Sequence, residues 1–346
     1  MKVDPTDLIW MNGEFVAWDD AKVHVLTHGL HYGTGVFDSM RCYETDLNPT
    51  HPPAVFRNVD HLDRLRKSAE LYYMEVPYSV EELRAVTLEL VARNGLRECY
   101  IRPLVYRGYG TMGLNPVDAS VDVTIACWEW GSYHGDEGVQ NGVRAMTSSW
   151  RRISPDSLIP HAKASGQYLN NVLAKVESLH AGYDEAILLD DHGHVSEGTG
   201  ENIYIVRDGQ VITPAQYNSI LDGITRRSIL QICQDLGYKV IERDVARAEM
   251  YLADEVFMSG TAAEIVPVCE IDNHKLGAGQ PGEITRVLQK EFDDAIHGRT
   301  ERYREWLDVI HAADLTTASG GGAPPTGDAS ATTAAAARER ITGATG

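Results

Sequence analysis

A lysine among small residues, Ala162-Lys163-Ala164-Ser165-Gly166, is the first place in this sequence where a side chain could do covalent chemistry. Small neighbours let backbone and ligand come close, and an amine that loses hydration there loses basicity, the state needed for Schiff-base formation. Alone the pattern is weak, because most lysines near a helix start are solvated. Glu197, in Val195-Ser196-Glu197-Gly198-Thr199-Gly200-Glu201-Asn202, is a carboxylate among glycines, more often a turn residue than a catalyst. Asp222-Gly223-Ile224-Thr225 opens a helix whose unpaired amides would suit a phosphate. Met258-Ser259-Gly260-Thr261-Ala262-Ala263-Glu264 adds a second small-residue turn bearing hydroxyls. None of these decides the matter singly.

Two further patterns invite other chemistry. Gly108-Tyr109-Gly110-Thr111-Met112-Gly113 matches G-x-G-x-x-G and follows an expected strand, so a nicotinamide-dependent dehydrogenase has to be weighed. Leu114-Asn115-Pro116 follows where a long helix should start, and the motif lies over a hundred residues into the chain, so a plain glycine-rich turn is the better reading. His24, His28 and His31 are close in sequence but share no helical face with a carboxylate, which favours structural or substrate-adjacent histidines over metal ligands. No G-x-S-x-G elbow or H-E-x-x-H motif occurs.

The elements that must position these residues follow from periodicity. Residues 9–11 and 14–18 read as strands around the Asn12-Gly13 turn. Asn58 is placed to cap a helix with Leu62, Leu65, Ala69 and Tyr72 on one face; Ser79 and Glu82 form a capping box for a second, which Gly95 ends. Residues 99–107 and 121–130 read as buried strands. Past residue 165 comes a helix with Leu169, Val172, Leu173 and Val176 on one face, then strands at 185–189 and 202–206, with Asp208-Gly209 turning the second into 210–213. A helix from Gly223 carries Ile229, Ile232, Cys233 and Leu236 and stops at Gly237.

Strands and helices alternate irregularly, which gives an α+β class with an N-terminal α+β domain at 1–130, an interdomain loop at 131–142 rich in Gly, Ser, His and Asp, and a second domain at 143–313. Residues 314–346, nearly all Ala, Thr, Gly, Ser and Pro, read as a disordered tail. A net charge of -19 argues against nucleic acid or an anionic membrane as partner, so an anionic ligand must be captured locally. No apolar run is long enough to span a membrane and the first residues do not resemble a signal peptide, so a soluble cytoplasmic protein is expected. The five scattered cysteines lack a C-x-x-C pair and read as reduced and buried, not as a zinc or disulfide framework.

In their order and separation, five stretches together resemble the class IV aminotransferases, and among them the bacterial branched-chain amino acid aminotransferases: AKVHVLTHGLHYGTGVF at 21–37, YIRPL at 100–104, SEGTGEN at 196–202, GITR at 223–226 and YLADEVFMSGTAAE at 251–264. The likeness runs from about residue 8 to 306. It implies the two-domain fold of that family, related to D-amino acid aminotransferase, with a larger, mostly β C-terminal domain. It implies pyridoxal 5'-phosphate as cofactor, Lys163 as the lysine that carries it and moves the substrate proton, Glu197 beside the pyridine nitrogen and Tyr168 on the ring hydroxyl. Arg64, Gly223, Ile224, Thr225 and Thr261 would hold the phosphate. Tyr32, Phe37, Tyr133 and Trp130 would surround an apolar side chain, Tyr100 with Thr261 and Ala262 would receive the α-carboxylate, and Arg102 the second carboxylate of glutamate. The loop carrying Met112 and Leu114 would reach a neighbouring subunit's site, so a homodimer or larger assembly, up to a hexamer, is implied. The implied reaction is transamination of leucine, isoleucine and valine with 2-oxoglutarate, ping-pong through pyridoxamine phosphate, as in branched-chain amino acid biosynthesis.

Val36-Phe37-Asp38-Ser39-Met40-Arg41 departs from the family's V-F-E-G-I-R, so Ser39 adds bulk and a hydroxyl beside the substrate. A D-amino acid or (R)-amine transaminase and an aminodeoxychorismate lyase are the neighbouring activities, with the dehydrogenase and a cofactor-binding homologue without catalysis more remote. Tyr100, Arg102 and Met112-Gly113-Leu114 favour the branched-chain branch.

Overall fold

The computed structural model describes residues 3–131 and 134–311. Both predicted hairpins form, Leu8–Met11 with Glu14–Ala17 and Asn202–Arg207 with Gln210–Thr213. Asn12-Gly13 and Asp208-Gly209 have positive φ at both positions, the geometry whose twist matches that of the flanking strands.

The first sheet is antiparallel throughout and runs Leu307–Val309, Pro53–Phe56, Met40–Glu44, Cys99–Arg107, Val121–Trp128, Leu8–Met11, Glu14–Ala17, with Gly35–Phe37 also on Cys99–Arg107. Helices Asn58–Leu71 and Val80–Arg93 bury Leu62, Leu65, Leu83 and Leu90 in one core with Met40, Cys42, Ile101 and Ile125. The Ser79 capping box forms as expected. Asn58 does not cap its helix: Arg57, left-handed at φ 51°, precedes it, and Asn58 is the first helical residue, its side-chain Nδ2 donating to Asp308 Oδ2 at 3.0 Å.

The second sheet closes on itself. Val143–Arg151, Glu185–Leu189, Val195–Gly198, Asn202–Arg207, Glu255–Gly260 and Glu264–Ile271 pair in a ring that is sealed where Glu197 opposes Asn202. Gln210–Thr213, Val240–Glu242 and His274–Lys275 extend it. A third core joins the sheets, with Tyr43 and Phe56 of the first against Tyr204 and Phe257 of the second and Ile229 and Phe292 of helices Ile224–Asp235 and Glu283–Ile296.

Three features differ from the periodicity reading. The segment read as a loop holds a short helix, Gly135–Asn141, whose Val139 packs on the barrel core while its carbonyl accepts from Gln289 Nε2 at 3.0 Å. A tertiary partner stabilises it where composition offers none. Helix Tyr168–His180 turns its apolar stripe outward: Leu169 is 70% exposed and Val172, Leu173, Val176 and Leu179 are exposed too, while Asn171, Ala174 and Ser178 face the protein. The expected strand at 121–130 ends at Trp128. Among the described residues no helix is long and apolar enough to cross a membrane.

Candidate active site

The Lys163 segment crosses from the barrel to the first sheet. Ala164 bridges to Val36, the Phe37 amide donates to Lys163 O at 3.0 Å, and the Lys163 amide donates to Ser68 Oγ at 3.1 Å. Gly166 touches Gly33 so closely that a Cβ there would lie 3.1 Å from Gly33 O, which is why small residues follow the lysine. Lys163 Nζ donates to Tyr168 OH at 2.7 Å.

One cavity brings together Lys163, Arg64, Tyr168, Glu197, Gly223, Ile224, Thr225 and Thr261, scattered over nearly two hundred residues of sequence. At one end Gly223 precedes helix Ile224–Asp235 and no side chain caps it, so the first amides of the helix are open donors. A Cβ on Gly223 would fall 2.2 Å from Asn202 Oδ1, so a larger residue there would displace the Asn202 side chain. Arg64 stands over this helix start, donating from Nη1 to Asp222 O at 3.0 Å.

Arg64 is held from behind by a residue that the sequence reading did not assign to the site. Asp38 is fully buried and accepts Arg64 Nε and Nη2, both at 2.8 Å, His61 Nδ1 at 2.7 Å and the Ser39 amide at 2.7 Å. Burial alone would raise the Asp38 pKa; Arg64 and His61 outweigh it and hold the carboxyl well below the usual carboxylate range. Burial pushes His61 below the ordinary imidazole value, against the pull of Asp38.

The same cavity holds Glu197, one oxygen accepting Arg152 Nε at 2.7 Å and the other the Leu221 amide at 2.9 Å. Arg152 is the second residue missed. Its only sequence signal is a cationic residue after a strand, Trp150-Arg151-Arg152, which does not say where the side chain goes. An anion seat, an amine beside a phenol and a buried carboxylate, in one cavity, are groups that could hold a phosphorylated pyridine aldehyde: the helix start and Arg64 could take the phosphate, Glu197 could face the ring nitrogen, and Lys163 could supply the amine for the aldehyde carbon.

A second cavity, about 300 Å³, shares Lys163, Tyr168 and Thr261 with the first and adds Phe37, Ser39, Tyr100, Arg102, Trp130 and Ala262. Phe37 packs edge-on to Tyr168 with centroids 4.7 Å apart, and Tyr100 stacks on Trp130 at 4.6 Å. The Arg102 guanidinium lies 4.6 Å over the Phe37 ring and donates to Tyr100 OH at 3.2 Å. Tyr32, expected in this pocket, does not line it within the chain and is exposed; Met112 and Leu114, expected to reach a neighbouring subunit's site, are exposed too, Leu114 by 90%. The loop that carries Met112 and Leu114 is pinned by His28, whose Nε2 lies 2.8 Å from Gly113 O. Tyr133 lies outside the described residues.

The glycine motif takes no dinucleotide-binding form. Its residues lie between strands Cys99–Arg107 and Val121–Trp128 with no helix after them, and a Cβ on Gly108 would fall 2.1 Å from Ser120 Oγ. The clustered histidines bond to protein groups, His28 Nδ1 with Thr34 Oγ1 at 2.7 Å and His31 Nε2 with Val25 O at 2.9 Å, while His24 Nδ1 accepts the Leu26 amide.

Residues 35–271 match the family model described as amino-transferase class IV. A branched-chain-amino-acid aminotransferase of Pseudomonas aeruginosa is 44% identical over 307 residues, which cover 89% of this chain and 98% of that protein. The crystal structure of the Escherichia coli branched-chain amino acid aminotransferase is 45% identical, covering 88% of this chain and all of that one with a TM-score of 0.86. The T.th. enzyme of the same name, complexed with N-(5'-phosphopyridoxyl)-L-glutamate, is 44% identical over 88% of this chain and 99% of its own, with a TM-score of 0.84.

Proposed function

Because the chain belongs to the class IV aminotransferases, we propose that it transfers the amino group of branched-chain L-amino acids to 2-oxoglutarate, giving branched-chain 2-oxo acids and L-glutamate in two half-reactions. The observation that carries this reading is Lys163 Nζ, 2.7 Å from Tyr168 OH and shared by the cofactor-shaped cavity and the aromatic one beside it. Pyridoxal 5'-phosphate is the cofactor: when bound it supplies an aldehyde for the substrate amine and a protonated ring that stabilises negative charge at the substrate Cα.

Arg64, the amides of Ile224 and Thr225, and Thr261 would hold the phosphate, with Gly223 leaving room for them to close on it. Glu197 would face the ring nitrogen, and Tyr168 the ring hydroxyl. Lys163 Nζ removes the proton from the substrate Cα in one half-reaction and restores one in the other. Tyr168 keeps the amine aimed by its hydrogen bond. Phe37, Trp130 and Ser39 bound the apolar side chain, while Tyr100 and the Thr261-Ala262 turn take the α-carboxylate. Arg102, whose Nε has no hydrogen-bond partner among the described residues, meets the second carboxylate of the dicarboxylic substrate from the edge of the same pocket. An apolar chain and an anionic one are thus accepted in turn without a second site.

The exposed Tyr32, Met112 and Leu114, with the outward apolar stripe of helix Tyr168–His180, suit a homodimer in which each loop completes the partner's pocket. A cytoplasmic location fits these substrates. Borohydride reduction of the purified yellow protein followed by peptide mapping is expected to find the cofactor on Lys163; attachment elsewhere, or none, would overturn the assignment. Steady-state rates should favour L-leucine, L-isoleucine and L-valine over D-alanine and (R)-1-phenylethylamine, and a preference for either of the last two would replace the substrate class.

A further inference from the structure

Arg152 and Glu197 form an ion pair in which each residue is only 5% exposed. Arg152 follows strand Val143–Arg151, and its amide donates to Leu189 O at 2.8 Å, which fixes the backbone from which the guanidinium enters the cavity. Nε donates to Glu197 Oε1 at 2.7 Å, while Nη1 reaches Asn170 Oδ1 and Asn171 Oδ1, each at 3.4 Å. Asn171 is tied in turn to Thr199 O at 2.7 Å. The other Glu197 oxygen accepts the Leu221 amide at 2.9 Å and lies 3.4 Å from Asn202 Nδ2.

A carboxylate beside a basic ring nitrogen has two ways to share one proton: an ion pair, or a neutral acid with a neutral ring. Only the protonated ring is a strong electron sink. A guanidinium cannot give up its proton, and in a buried site its charge penalises protonation of the carboxylate it touches. We propose that Arg152 is a positioning residue for transamination: it holds Glu197 aimed and sets a fixed positive charge behind it, so that the proton between Glu197 and the cofactor's ring nitrogen stays on nitrogen. The inference rests on the reading that this cavity binds pyridoxal phosphate. The other titratable or charged groups facing the cavity are Arg64, Lys163, Tyr168 and Glu201.

The test compares holoenzyme with Arg152→Gln, which keeps a hydrogen-bond donor but no charge, and Arg152→Lys, which keeps the charge. Three quantities are read: the absorbance of bound cofactor across pH, the cofactor dissociation constant, and kcat against KM for L-leucine. The glutamine variant is expected to displace the pH profile of the absorbance by about one unit or more and to lower kcat on the order of 10-fold or more. Its KM should move by less than about 3-fold, because Arg152 acts on the reacting ring and not on substrate binding. The lysine variant should keep the wild-type absorbance profile. A glutamine variant with wild-type absorbance and kcat overturns the proposal, and so does one that only loosens cofactor binding, which is what a structural role would give. A lysine variant as disturbed as the glutamine one also overturns it, and this arm decides alone if circular dichroism shows that Arg152→Gln does not fold. Wild-type protein that binds no pyridoxal phosphate would sink the functional reading itself, a result distinct from any of these.

Discussion

Two buried ion pairs line one cavity: in one, the Asp38 carboxylate stands behind the Arg64 guanidinium, and in the other, the Arg152 guanidinium stands behind the Glu197 carboxylate. Asp38 grips two nitrogens of Arg64 and leaves the third on Asp222 O at the helix start; Arg152 grips one oxygen of Glu197, and both Arg64 and Glu197 line the cavity. Each pair is close to neutral, so the chain buries both without stranding a charge, and under the proposed function each would offer the sign its ligand group lacks. The difference teaches that polarity at a buried site is set by which partner stands in front. The rear partner is structural in position and functional in effect.

The largest expected effect removes the amine that shares the cavity with both pairs and leaves the pairs intact. Lys163→Ala should lose at least about 10³-fold in kcat while still binding pyridoxamine phosphate, measured by absorbance titration; loss of that binding would mean the pairs depend on the lysine. Next, Glu197→Gln removes the front anion without changing its shape. It should cost about 100-fold in kcat with a much smaller change in KM, and a purely raised KM would contradict the role given to Glu197.

Asp38→Asn strips the rear partner from the other pair. It should lower stability by about 3 kcal/mol in urea titrations at neutral pH and weaken cofactor binding by roughly 10-fold, since Arg64 is left to drift. The pH dependence follows from the depressed Asp38 pKa. Its contribution is complete above the unfolded value of about 3.9 and is lost as pH falls from there toward the folded value, so the wild-type advantage over Asp38→Asn should be flat from pH 7 to 5 and shrink below about pH 4. An advantage that shrinks already between pH 7 and 5 would assign the effect to another group. The smallest effect lies outside both pairs: Ser39→Gly, beside Phe37 and Ala262, should shift kcat/KM toward bulkier side chains by about 10-fold, as expected for a methylene-sized change in a pocket. An unchanged ratio would remove Ser39 from the specificity surface.

The front residues of both pairs were legible in the sequence and the rear ones were not. Glu197 sits in a glycine-rich turn and is marked by local pattern together with the family likeness, while Arg64, on a helix, is marked by the family likeness alone. Asp38 was visible only as part of a departure from V-F-E-G-I-R, and Arg152 only as one of two adjacent arginines. A charge pair between residues 26 or 45 positions apart leaves no trace in periodicity, since its energy depends on a contact that exists after folding. The exposed stripe of helix Tyr168–His180 shows the same limit from the other side. Spacing shows that Leu169, Val172, Leu173 and Val176 share a face, but not that the face looks outward.

By itself the sequence determined the hairpins at Asn12-Gly13 and Asp208-Gly209, the Ser79 capping box, the helix opened by Gly223 and the small-residue setting of Lys163. All of these are set within a few residues by backbone sterics and local hydrogen bonds. Only the tertiary structure decided that the barrel closes at Glu197 and Asn202, that Lys163 shares a cavity with two buried ion pairs, and that Tyr32, Met112 and Leu114 are exposed and do not line their own chain's pocket. Those outcomes depend on which distant strands pair and which buried charges find partners, and that is settled by burial and long-range contact.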